Sequence, residues 1–347
     1  MIYYFIRIIT ILVIYLILIT QGQHYCSKYN QKGVIVAHGR ATYSVDGKGN
    51  IYTATYTKIS LWPSLASRGR IIATIVNYSI PQWYDICDDP LVYCSFDNIF
   101  VTKNSDLYIL RNLIDGFTIL KYNGNKNYGS YVAGRHYKIG IDCPNSRSPG
   151  CSLPYTYRAS SIFIDNKQNI FVLITPASMV LKLRPGARTG IIVAGGHERG
   201  SNPNQLNYPY SIYVDNEENL FIADSENARV QKWTPGSKNG ITVLGPMHTI
   251  RSGCQPSSRL SEILIDNDGS IVYLGKSIFC NRVIKWPANS QLGTGLITIN
   301  ESDVVGLRSD SFGNIYVLTW SNTGEGLILR YQCNKESFEK IVRYLKL

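Results

Sequence analysis

Little in this sequence advertises chemistry. No G-x-S-x-G, Walker or H-E-x-x-H pattern occurs, so nucleophile-elbow, P-loop and zincin readings have no residues to rest on. Nothing like CxxC is present, which removes a zinc-ribbon type of site. After Ile19 no segment approaches the ~20 apolar residues that a membrane-crossing helix needs. Acid is scarcer than base: 24 Asp and Glu stand against 35 Lys and Arg, a formal net charge of +11. A field of that sign steers acidic partners and disfavours basic ones.

What the chain does contain is repetition. Ser211 to Trp233, "SIYVDNEENLFIADSENARVQKW", reads as three short strands separated by polar turns, and "ITVLG" adds a fourth after "TPGSKNG". The same order recurs in "SIFIDNKQNIFVL" with "VLKLRPGARTGIIVAGG", and in "EILIDNDGSIVYL" with "NRVIKWPANSQLGTGLITI". Weaker copies begin at "ATYSVDGKGNIYTA", "DNIFVTKNSDLYIL" and "GLRSDSFGNIYVL". A landmark aspartate falls at Asp46, Asp165, Asp215, Asp266 and Asp310, with Thr102 in its place in the second copy. Six units of roughly fifty residues have the size of propeller blades, and a lone four-stranded sheet must bury its faces against others of its kind.

The two ends settle the architecture expected. The last copy stops after its third strand at Cys333, whereas an orphan strand, "KGVIVAHG", precedes the first copy and resembles every other fourth strand. Joining them completes the sixth unit and leaves no long unpaired edge. The expectation is an all-β fold, a six-bladed β-propeller closed by its N-terminal strand. It forms one domain over residues 23–335, although the length alone suggests two.

Asp224, Asn227 and Arg229 sit in a pattern that resembles the NHL repeat: a strand ending in Asp, a polar turn, a strand ending apolar-Ala-Asp, then Asn, Arg and an apolar-Lys-aromatic strand. The resemblance spans Gly33 to Cys333, and only the fourth copy carries the whole signature. The fifth keeps Asn281, Arg282 and Trp286 but has Gly275 near the expected Asp. The resemblance implies that Asp224, Asn227 and Arg229 tie turns together rather than bind a ligand. Trp62, Trp233 and Trp286 end equivalent third strands and are expected to pack between blades.

Residues 1–22 read as a secretory signal peptide: Arg7, an apolar run from Ile8 to Ile19, and small residues Thr20 and Gly22 before Gln23. An uncleaved anchor is the alternative, with Ile2 to Phe5 added to the run. A secreted chain with eight cysteines is expected to pair them. The propeller map puts Cys26 and Cys333 at one junction, and groups Cys87 with Cys94, Cys143 with Cys151, and Cys254 with Cys280. Asn77 and Asn300 begin N-glycosylation motifs. Residues 336–347 form a tail, within which Phe338, Ile341, Val342 and Leu345 stand at helical spacing.

The loops after the fourth strands read "AHGR", "GRH", "GGHERG" and "MHTIR", so four of the five histidines follow equivalent strands. His38, His136, His197 and His248, with Arg40, Arg135, Arg199 and Arg251 beside them, are expected on one face as a cationic ring. Arginine forks suit carboxylate, sulfate and phosphate groups. The bland reading is a set of solvated loop residues. A metal reading of the same histidines ranks below both, so no metal and no cofactor is assigned. It is kept because the fold resembles lyase propellers that use zinc and lactonase propellers that use calcium, whose ligand motifs do not align here. The functional expectation is therefore a secreted, monomeric binding scaffold for a protein or an acidic glycan, with nucleic acid disfavoured. The alternative is a secreted propeller enzyme of metal-dependent lyase or lactonase type, for which only the fold argues.

Overall fold

The computed structural model describes residues 28–29, 34–38, 42–54, 58–64, 70–74, 98–113, 116–122, 129–134, 140–141, 159–187, 189–245, 249–250, 260–266, 268–275, 282–288, 290, 292–299, 303–320 and 326–334. Strands dominate, and among the described residues no helix is long and apolar enough to cross a membrane.

Six antiparallel four-stranded blades follow one another along the chain. The first comprises Tyr43–Val45, Ile51–Ala54, Lys58–Trp62 and Arg70–Thr74. The second comprises Asn98–Val101, Leu107–Leu113, Gly116–Tyr122 and Gly129–Gly134. The third runs through Ser161–Ile164, Ile170–Ile174, Met179–Leu183 and Thr189–Gly195. The fourth runs through Pro209–Val214, Leu220–Asp224, Arg229–Trp233 and Ile241–Leu244. Ile263–Ile265, Ile271–Gly275, Arg282–Trp286 and Leu292–Thr298 make the fifth. The sixth holds Asp303–Ser309, Ile315–Trp320 and Gly326–Tyr331, and its outer strand is Val34–His38 from the other end of the chain. Val34 lies opposite Arg330 and His38 opposite Leu327. Each blade's inner strand adjoins the inner strands of both neighbours, the sixth returning to the first, so the ring is closed as the end strands suggested.

The second strands explain why the blades stack. Ile170–Ile174 and Leu220–Asp224 are buried at every position. A strand buried on both faces requires a neighbouring sheet on each side. Accordingly the core is six apolar clusters, each shared by two consecutive blades. Trp233 belongs to the cluster shared with the third blade, and Trp286 to the cluster shared with the fourth. Trp62 packs against the cluster that the first blade shares with Tyr316, Leu318 and Ile328 of the sixth. All three indoles face the preceding blade, which is the packing role expected of them.

The landmark aspartates build the turn between first and second strands. Asp46, Asp165, Asp215 and Asp310 accept from the backbone N–H groups of Lys48 and Asn50, Lys167 and Asn169, Glu217 and Asn219, and Phe312 and Asn314. Each also accepts from its asparagine's side-chain amide, all at 2.7–2.9 Å. The residue before the asparagine is left-handed, with φ of 78° at Gly49, 62° at Gln168, 63° at Glu218 and 81° at Gly313. Asparagine and aspartate side chains that bond their own backbone stabilise such turns. In the second blade Thr102 Oγ1 substitutes, accepting from the Asp106 N–H at 3.1 Å.

Two elements have no counterpart in the sequence reading. Gly140–Ile141 runs parallel to Thr189–Gly190, and Thr249–Ile250 runs parallel to Leu292–Gly293. They add a fifth strand to the outer edges of the third and fifth blades, blunting those edges. A two-residue strand inside a connection carries no alternation to read. The leader, the tail, Asn77, Asn300 and every cysteine except Cys333 lie outside the described residues. Cys333 is disulfide-bonded, its partner falls outside them too, and the short strand Lys28–Tyr29 pairs with Cys333–Asn334, Tyr29 opposite Cys333.

Candidate binding face and channel mouth

In each blade the turn between first and second strands opens on one face of the disc. Among the described residues, the loops between second and third strands of the third and fourth blades and the connection 196–208 open on the other. That second face is where the sequence reading expected binding. Of its eight cationic candidates, the structure describes the side chains of His197 and Arg199, both exposed. His38 is described as backbone at the end of the closing strand, and Arg40, Arg135, His136, His248 and Arg251 lie outside the described residues.

Arg199 is held rather than loose. Its guanidinium stacks on the Tyr208 ring, 3.8 Å from the centroid, and donates to Tyr208 Oη at 2.5 Å and to the Pro176 carbonyl at 2.9 Å. The connection carrying both residues is pinned from beneath by the NHL-like trio. Arg229 Nε donates to Asp224 at 2.7 Å, and its Nη1 and Nη2 donate to the carbonyls of Ser201, Asn202 and Gln205. Asn227 bridges Asp224 and the Gly200 carbonyl, and the Asn207 N–H donates to the other Asp224 oxygen at 2.6 Å. Asp224, Asn227 and Arg229 thus spend their bonding capacity on the connection between blades, as the resemblance implied. Tyr208 itself takes a left-handed φ of 47°, a conformation that a tyrosine keeps only where its surroundings impose it.

Neighbouring blades are clamped at this face by a recurring bond. Asn112 exchanges two bonds with Ala159, at 2.9 and 2.8 Å, while Thr175 Oγ1 donates to the Pro209 carbonyl and Ser225 Oγ to the Leu260 carbonyl, each at 2.5 Å. Equivalent positions at the end of the second strand therefore grip the start of the next inner strand in three successive blades.

The inner strands also share a position, two residues before the landmark. It is occupied by Ser44, Phe100, Phe163, Tyr213, Leu264 and Arg308 in turn. Phe100, Phe163 and Tyr213 pack ring to ring with centroids 5.0 and 5.1 Å apart. Ser44 Oγ accepts from the Val101 N–H at 3.0 Å. Arg308 breaks this apolar run, and its partner comes from the preceding blade. Arg308 Nη1 donates to Glu262 at 2.6 Å, and the Leu307 N–H donates to the same carboxylate oxygen. The Arg308 guanidinium also lies 5.4 Å from the Tyr43 ring centroid. Burial alone would lower the Arg308 pKa, but the charge and hydrogen bond of Glu262, together with Tyr43 and Tyr210, outweigh it and the value lies above the usual one. Tyr210, half-exposed at the start of its inner strand, has its phenol pKa raised by burial and by the Glu262 charge, with Arg308 opposing. The sequence reading passed over Tyr208, Tyr210, Glu262 and Arg308. The signal was available: Glu262 stands where other copies have Asn98, Ser161 and Ser211, and Arg308 where they have Phe, Tyr, Leu or Ser.

Among the described residues no group of three His, Cys, Asp or Glu side chains is placed to hold a metal ion. No protein-family model matches the sequence, and the curated proteins provide no relative. Solved structures do resemble the fold. The PQQ-bound aldose sugar dehydrogenase of Streptomyces coelicolor has a TM-score of 0.53 at 12% identity, over 88% of this chain and 99% of that one. YCF48 bound to a D1 peptide has a TM-score of 0.54 at 10% identity, over 90% and 98%. A gluconolactonase of Xanthomonas campestris has a TM-score of 0.53 at 9% identity, over 88% of each. At such identity the likeness is one of fold, and these folds serve enzymes and a peptide binder alike.

Proposed function

We propose that this is a secreted NHL-type propeller acting as a binding scaffold, which captures an anionic macromolecule, a protein or an acidic glycan, on the face formed by the connections between blades. The observation carrying the reading is Arg199: exposed, stacked on an exposed tyrosine, and set on a connection that buried Asp224 and Arg229 hold rigid. Rigid loops on a closed disc present charge at low entropic cost, which favours binding. The sequence assigns His38, Arg40, Arg135, His136, His248 and Arg251 to equivalent connections, where their charge would add to that of Arg199. Among the solved structures of the same fold, YCF48 is bound to a peptide, which supports a propeller in a binding role. The enzymatic alternative has fold-level likeness behind it and no assigned catalytic residue. Stoichiometric zinc or calcium in purified protein would favour it.

The test is retention on immobilised heparin in a salt gradient. Wild type should elute at distinctly higher salt than the variant combining R40A, R135A, R199A and R251A, because exposed charge contacts are screened by salt. Elution of both at the same salt concentration overturns the cationic face.

A further inference from the structure

Glu262 and Arg308 are an ion pair between neighbouring inner strands of the propeller, at positions where the other blades carry neutral residues, on the side toward Tyr210. Placing a charged pair there costs desolvation that well-packed apolar side chains would avoid. The other blades show that the fold does not need it: at the Arg308 position they manage with Ser44, Phe100, Phe163, Tyr213 and Leu264. Glu262 does serve the backbone by accepting from the Leu307 N–H. Ser211 does the same for the Ile263 N–H at 3.4 Å with a neutral hydroxyl. The charge is therefore surplus to the structural task. Both side chains keep some solvent exposure, 22% for Arg308 and 15% for Glu262, so the pair is reachable. Tyr210, 53% exposed, precedes Ser211, whose Oγ accepts from the Ile263 N–H next to Glu262, and Tyr208, 45% exposed and stacked with Arg199, lies two residues earlier in the chain.

We infer that the site formed by Tyr210, Glu262 and Arg308 on neighbouring inner strands is a subsite for one acidic sugar unit of a uronate-bearing glycan. The inference rests on the binding-face reading and names its ligand class. Each element has a matching part in a uronate ring. The apolar C–H face of a pyranose stacks on a tyrosine ring. Vicinal hydroxyls donate to a carboxylate and accept from a guanidinium, which Glu262 and Arg308 present side by side. The sugar's own carboxylate is drawn to the basic loops, Arg199 first. An extended acidic peptide offers charge without the stacking face and without paired hydroxyls.

Calorimetric titration with three probes tests this: a hyaluronan hexasaccharide, which carries uronate without sulfate, the neutral maltohexaose, and hexaglutamate. Wild type should bind the hyaluronan hexamer in preference to both others. Y210A should weaken that binding about three- to ten-fold, the range expected when one aromatic contact is lost. E262Q should also weaken it; the glutamine carbonyl still accepts from the Leu307 N–H, Arg308 loses its counter-charge so the melting temperature falls, and an unchanged circular dichroism spectrum at the titration temperature checks that the fold is kept. Equal affinity for hexaglutamate, or hyaluronan affinity unchanged in both Y210A and E262Q, overturns the subsite. If heparin retention still depends on the four arginines in that case, the binding face stands and only the sugar subsite falls. Loss of retention differences on heparin instead removes the face itself.

Discussion

Arg229 Nε lies 2.7 Å from the Asp224 carboxylate, and Asp224 is 0% exposed. The pair is therefore a buried one, with its remaining donors and acceptors spent on the connection from the third blade. Removing Asp224 leaves the largely buried Arg229 charge without its counter-ion. D224A should destabilise the protein by about 3–5 kcal/mol, read from urea unfolding at neutral pH. Loss below about 1 kcal/mol would mean that the network is incidental.

Closure predicts an effect out of proportion to its length. Deleting residues 33–39 removes the strand that pairs with Gly326–Tyr331 and reopens the ring, exposing an edge. The whole propeller should lose thermal stability in one transition, followed by circular dichroism. An unchanged melting temperature contradicts the topology.

The outer strands make room for the indoles. A Cβ on Gly293 would lie 2.3 Å from Trp286 Cε3, and one on Gly240 2.4 Å from Trp233 Nε1. Both rings are buried between blades and cannot swing away, so G293A and G240A should each cost about 1–3 kcal/mol as overpacking. W286A, which empties the site instead, should cost about 3–5 kcal/mol. Denaturant midpoints measure all three, and a neutral G293A would show that the indole yields.

Acid stability should carry the mark of Glu218. Lys167 donates to its carboxylate at 2.5 Å, and Lys182 donates to the other oxygen from the preceding blade. These bonds lower its pKa to about 2, whereas an unfolded glutamate titrates near 4.3. The folded state then binds fewer protons between those values. The stabilisation is complete above the unfolded pKa and is lost as pH falls toward the folded one. E218Q should flatten the fall in stability across that window, measured by urea unfolding at a series of pH values. Parallel curves for the two proteins would contradict the assignment.

The Cys26–Cys333 bond remains a proposal about ring closure. Tyr29, three residues after Cys26 in the sequence, pairs opposite Cys333. Non-reducing peptide mapping should recover Cys26 linked to Cys333. Recovery of Cys26 with Cys87 or Cys94 would contradict it.

Strand rhythm, blade number and ring closure were legible in the sequence because they follow from local signals. Alternation with a period of two marks the strands, the Asp and Asn of each turn mark the hairpins, and a missing fourth strand at one end matches a surplus strand at the other. The trio Asp224, Asn227 and Arg229 was legible for the same reason, lying within one strand, loop and strand. Glu262 and Arg308 were not. They are 46 residues apart in neighbouring blades, and each looks like an ordinary polar substitution within its own copy. Only closing the sheets around an axis sets the inner strands of the fifth and sixth blades side by side, and that makes the two one ion pair beside Tyr210. The same holds for Arg199, whose sequence neighbourhood announces a charged loop and whose stacking on Tyr208 depends on the path that Arg229 imposes on the connection. Local patterning determined the blades, and the radius of the closed ring decided which of their side chains meet.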